Sequence, residues 1–132
     1  MGYRDKKLCL SASQLFGASA DSTYYIDTEL TNPHWDVGYT LGVVLTVETA
    51  PGGTTAVTFE ICHYATEPTH DTTQIADFEI PTAQLTKGRE FVLPLPIGLT
   101  ILRNIRVYVT IGDGTTGVYS MYVTPIQVAG HL

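Results

Sequence analysis

The stretch YTLGVVLTVETAPGGTTAVTFEI, residues 39–61, decides the fold class. Tyr39, Leu41, Val43, Leu45 and Val47 recur at spacing two, and so do Val57, Phe59 and Ile61. Period two places alternate side chains on opposite faces of an extended strand. Between the two runs stands Pro51-Gly52-Gly53, which has the turn chemistry of a hairpin loop.

The same alternation extends outward in both directions. Strands are expected over residues 7–11, 22–28, 38–48, 54–65, 74–80, 89–96, 100–111 and 117–127. Phe91, Leu93, Leu95 and Ile97 line up at spacing two, as do Ile101, Ile105, Val107, Val109 and Ile111, interrupted by Arg103. Gly112–Gly117 joins the last two strands in the manner of the first turn, and Glu67–Asp71 reads as a polar loop. Residues 81–88 carry the one helical signal, a single turn closed by Gly88. Pro94 and Pro96 point away from the apolar face of their strand. Neither donates a ladder hydrogen bond, so this strand belongs at a sheet edge.

Composition agrees. Forty of the 132 residues are Thr, Val or Ile, whose branched side chains suit a pleated surface. The expected fold is therefore all-β: a two-sheet antiparallel sandwich of eight strands, of jelly-roll type, in one domain over residues 1–132. Strand order does not follow from periodicity.

The net charge of −6 argues against a nucleic-acid partner. No stretch of 18 apolar residues is present to span a membrane. A signal-like start, Leu8-Cys9-Leu10 followed by Ala18-Ser19-Ala20, is interrupted by Ser11, Ser13 and Gln14. Gly2 invites N-myristoylation, but Lys6 stands where that motif needs Ser or Thr. Cys9 and Cys62 are expected as free thiols. The charges are segregated. No Lys or Arg lies between Leu8 and Thr86, while ten acids do, and Arg4, Lys6 and Lys7 form a basic segment over residues 1–7. Opposite-sign surfaces of this kind suit contacts between subunits.

Chemistry-bearing groups are sparse. His63, Glu67, His70 and Asp71 match no metal-ligand spacing. Asp27 and Glu29 are paired carboxylates without a convergent base. No Ser has a nucleophile-elbow context, and Gly112-Asp113-Gly114 lacks the Lys and helix of a phosphate loop. No catalytic residue, metal or cofactor is expected. Tyrosine and tryptophan carry more weight, because they bury large area yet keep a polar tip. Tyr24, Tyr25, Trp35 and Tyr108, with Arg4, Lys6 and Lys7, are the expected partner-binding residues. Tyr64 and Tyr108 both lie opposite the buried face of their strands.

Taken in order, several phrases resemble the jelly-roll cement (decoration) proteins of tailed phages, of the Bordetella-phage type. They are Tyr24-Tyr25-Ile26-Asp27 after Gly17–Ala20, the strand Leu41–Glu48, the strand Ala56–Ile61, Ile80-Pro81 with Leu85–Pro96, and Leu102–Val109. The likeness runs from about Leu8 to Val123. It implies a non-enzymatic structural protein on the outer capsid surface of the virion, made in the host cytoplasm. Such proteins bridge major capsid protein subunits and stiffen the shell. The implied partners are the major capsid protein and further copies of the chain, as a dimer or trimer. Trp35 and the surface tyrosines leave an alternative open: a carbohydrate-binding, lectin-like sandwich that stacks sugars on its rings.

Overall fold

The computed structural model describes residues 9–27, 40–53, 56–64, 74–95, 104–111 and 116–126. Its strands are β1 (Cys9–Phe16), β2 (Ala20–Asp21), β3 (Ile26–Asp27), β4 (Thr40–Thr49), β5 (Ala56–Tyr64), β6 (Gln74–Pro81), β7 (Glu90–Pro94), β8 (Asn104–Ile111) and β9 (Gly117–Ile126). One sheet has the order β1-β9-β4-β7. The other has the order β2-β8-β5-β6, with β3 also on β8, and every pairing is antiparallel.

With β2 and β3 counted as one interrupted edge strand, this is the jelly-roll order. The first strand pairs with the last and the second with the next to last, and the nesting continues inward to the β5–β6 hairpin. The chain is one long hairpin whose successive strand pairs, β1 with β9, β2 and β3 with β8, β4 with β7, and β5 with β6, fall alternately into the two facing sheets.

The alternating runs supply the facing surfaces. Val43, Leu45, Val47, Leu93, Met121 and Val123 come from one sheet, and Val57, Phe59, Ile61, Ile105, Val107 and Val109 from the other, all in a single buried cluster. Each such side chain contributes about 1.5–3 kcal/mol on burial. Tyr119 ties the layers together. Its ring meets Phe59 of the opposite sheet edge-on at 5.4 Å and Phe16 at 5.7 Å. Its fully buried hydroxyl has no hydrogen-bond partner among the described residues. Gly117 makes room for it, since a Cβ there would lie 2.5 Å from that oxygen.

Several expectations need correction. Pro51-Gly52-Gly53 does not close a hairpin, because β4 and β5 belong to different sheets. Residues 112–117 likewise link strands of different sheets. A turn sequence reports that the chain reverses; which sheet the next strand joins is a long-range matter. The strand expected over residues 22–28 is broken between β2 and β3. β1 runs on to Phe16, hidden from a period-two reading by register shifts after Cys9 and Ser11. The helical turn is a 3-10 turn at Thr82–Gln84. Gly88, at φ 87°, instead shapes a separate turn in which Arg89 N–H donates to Thr86 O at 3.0 Å. Tyr64 does lie on the face away from the core, yet it is buried with its neighbours Cys62 and Asn104. Pro94 sits at a sheet edge, as its missing N–H requires, while Pro96 lies outside the described residues. Cys9 and Cys62 are both free thiols.

Burial pushes the Tyr119 phenol up to about 12. The unfolded chain would release this proton near pH 10 and the folded chain would hold it to about 12, so stability falls as pH rises across that window. Tyr119→Phe should leave stability at pH 7 unchanged or up to about 1 kcal/mol higher, because an unsatisfied buried hydroxyl goes. It should also flatten the alkaline loss, as read by denaturant melts at pH 8 and pH 11.

Candidate interaction surfaces

The two sheets turn chemically different faces outward. On the β1-β9-β4-β7 sheet the outward face carries one apolar row, beside which Thr46 pairs with Glu90 and Ser120. Val44 pairs with Val92 on one side and Tyr122 on the other. Val44 is buried although it is no part of the core, while Leu15 and Val92 are 63% and 50% exposed. The four strands contain no Lys or Arg. At one end Ser13, in the left-handed region at φ 48°, holds the irregular part of β1 in place. Its N–H donates to Ser120 Oγ at 2.8 Å and its hydroxyl to Glu48 Oε1 at 2.6 Å, while Ser120 donates to Glu48 Oε2.

The outward face of the other sheet is acidic. Glu60 stands directly opposite Asp77, Thr58 opposite Glu79, and Tyr108 between Glu60 and Asp21. Glu60 accepts from Thr110 Oγ1 at 3.0 Å and from Gln74 Nε2 at 2.8 Å. Arg106, the described cation of this face, donates from Nε to Ser22 O at 2.8 Å.

Tyr24 and Tyr25 occupy the break between β2 and β3, where they are 52% and 44% exposed. Buried Ser22 builds this ledge. Its N–H donates to Val107 O, its hydroxyl donates to Tyr24 O at 2.8 Å, and the same hydroxyl accepts from Val107 N–H at 3.3 Å. Tyr24 N–H then crosses to Leu10 O of the other sheet at 2.9 Å. The Gln14 carboxamide bridges the kink, donating to Asp21 O at 3.0 Å and accepting from Thr23 N–H at 2.7 Å. Two aromatic rings are thus held out on a segment whose backbone is pinned to both sheets. The pinning residues Ser22 and Gln14 carry no sequence pattern that would single them out.

Of the expected partner-binding residues, the structure separates Tyr24 and Tyr25, exposed on the ledge, from Tyr108, half-buried on the acidic face. Arg4, Lys6, Lys7 and Trp35 lie outside the described residues, as do Glu29, His34, Glu67, His70, Asp71 and His131. His63 shares the core-side face of β5, opposite Ile105. Among the described residues no three His, Cys, Asp or Glu side chains converge as metal ligands. An open depression of about 370 Å³ is lined by Pro51, Gly53, Pro81, Thr82 and Ala83. It offers no ionisable side chain, and its Thr82 hydroxyl already donates to Gly53 O at 3.0 Å.

A family model described as Bbp16, a family of Bordetella phage proteins, matches residues 10–123. No curated protein matches the chain.

Ser22→Ala removes the hydroxyl that holds the ledge and should cost about 1–2 kcal/mol of stability. Amide exchange should accelerate at Tyr24 and Val107 while the β4–β9 ladder keeps its protection.

Proposed function

The chain belongs to the Bbp16 family and is phage-related, and from that premise we propose that it is a non-enzymatic structural protein of the virion. More specifically, it is a capsid cement protein that docks on the outside of the phage head. Its partners are the major capsid protein and further copies of itself, as a dimer or a trimer, with the trimer favoured because three-fold junctions join the most shell subunits. The family match carries the reading, since its span of residues 10–123 takes in almost the whole sandwich. The geometry is in keeping with it. The described surface has two broad sheet faces and an aromatic ledge, and its described depression holds no reactive group.

The mechanism is avidity. A modest contact repeated at symmetry-related positions resists displacement of any one subunit, so the shell is stiffened without a tight single site. Tyr24 and Tyr25 suit such a contact because their backbone is already fixed and little order is lost on docking.

Undecorated heads mixed with the protein and sedimented should carry it in a saturable amount. Tyr24→Ser with Tyr25→Ser should weaken attachment by about 10-fold or more, the scale of a lost aromatic anchor, with the circular dichroism spectrum unchanged. Failure of the unaltered protein to bind any head sinks the cement reading. Binding on a glycan array instead would favour the sugar-stacking alternative.

A further inference from the structure

Two sheets in a sandwich have four edges. β7 is a strand of only five residues ending in Pro94, β1 is irregular between Cys9 and Gln14, and the β2–β3 edge is broken at the tyrosine ledge. The fourth is β6, eight residues long, whose irregularity lies at its start and whose proline, Pro81, is its last residue. Its register with β5 is unbroken from Ala76 to Pro81, and among the described residues β5 is its one neighbour. Half of its backbone N–H and C=O groups therefore point away from β5, and among the described residues no strand pairs with them. The edge also has a charge pattern. Asp77 and Glu79, two residues apart, are exposed on the face away from the core, and Asp77 has the like-charged Glu60 directly opposite on β5. Like charges across a ladder are unfavourable, and a cation on the other flank of Asp77 relieves them.

The chain contains a segment with the complementary pattern. Arg4 and Lys6 are also two residues apart, so in an extended strand they share one face. We infer that residues 1–8 of one copy add as a strand to the β6 edge of a second copy, with Arg4 and Lys6 set against Asp77 and Glu79. The occupant is a second copy because a chain cannot reach its own edge in this way. β1 stacks beside β2 and β3 at the far side of the sandwich, as the Tyr24–Leu10 and Gln14–Asp21 bonds show. A strand added beyond β6 lies four strand spacings away, roughly 19 Å sideways before the gap between sheets is crossed. Lys6 stands three residues before Cys9, a span of at most about 11 Å. The inference deepens the proposed function by naming which surfaces join the copies, and it rests on the self-association in that reading.

Charge reversal tests it on the full chain. The unaltered protein should self-associate in sedimentation velocity. Arg4→Glu with Lys6→Glu, and separately Asp77→Lys with Glu79→Lys, should each weaken association by at least about 10-fold, since each sets like charges face to face. A one-to-one mixture of the two variants should regain association as even-numbered assemblies, because each arm again meets an edge of opposite sign when the variants alternate. Asp77 and Glu79 are exposed and lie outside the core cluster, so their replacement should not change the circular dichroism spectrum. In a Cys9→Ser, Cys62→Ala background, Lys6→Cys protein mixed with Asp77→Cys or Glu79→Cys protein should form a disulfide-linked dimer. Lys6→Cys with Val92→Cys on β7 should not. Variants that associate as well as the unaltered chain, or a mixture that stays dissociated, overturn the inference. So does an Asp77→Cys disulfide dimer formed without Lys6→Cys, which would signal edge-to-edge pairing. A protein that is monomeric yet still decorates heads sinks the strand exchange and leaves the capsid reading standing; failure on heads with intact charge-swap behaviour does the reverse.

Discussion

Both sheets depend on the last two strands. β9 lies between β1 and β4, and β8 lies between the β2–β3 edge and β5. Until they dock, β1 has no partner in its sheet, β2 and β3 have none in theirs, and β4 and β5 each lack one side. Leu15 meets Val118 and Ala20 meets Val109 across most of the chain. Loop-closure entropy at such separations must be offset by the apolar surface sealed when the halves meet. Tyr119 sits at that seal. It arrives on β9 and contacts Phe59 on β5 of the opposite sheet. An unpaired hydroxyl is the cost of filling that space with a large ring, and Gly117 is the local accommodation.

Because the core is made by one face of each strand, the other faces are free to differ. The β1-β9-β4-β7 sheet presents Val92 and Leu15 with Glu48 and Glu90 and has no Lys or Arg in its strands, while the β2-β8-β5-β6 sheet presents Glu60, Asp77 and Glu79 with Arg106. The outward faces can thus differ in chemistry without any change in the interior. The ledge of Tyr24 and Tyr25 adds a third, held by Ser22 and Gln14 across the seam between the sheets.

Of the tyrosines that the residue string offers as a surface inventory, Tyr24 and Tyr25 are exposed and Tyr108 is half-buried. The residues that hold Tyr24 and Tyr25 did not stand out. Ser22 and Gln14 are ordinary polar side chains whose partners, Val107 and Asp21, are fixed by the fold. Tyr64 shows the converse. Its parity placed it on the outward face, where it does lie, but parity says nothing of burial from outside the sandwich.

The sequence by itself determined the β class, the core-facing residues of β4, β5, β7 and β8, and the edge position of the strand bearing Pro94. Each of these follows from a property that acts over a few residues: side-chain alternation, β-branching, a missing N–H. Only the tertiary structure decided which strands share a sheet. It turned two apparent hairpin loops, Pro51-Gly52-Gly53 and residues 112–117, into crossings between sheets, and made the hairpin at β5–β6 instead. It also set Glu60 against Asp77 and left β6 at a sheet edge. Strand partnership is chosen by contacts between residues far apart in the chain, and no local pattern encodes it.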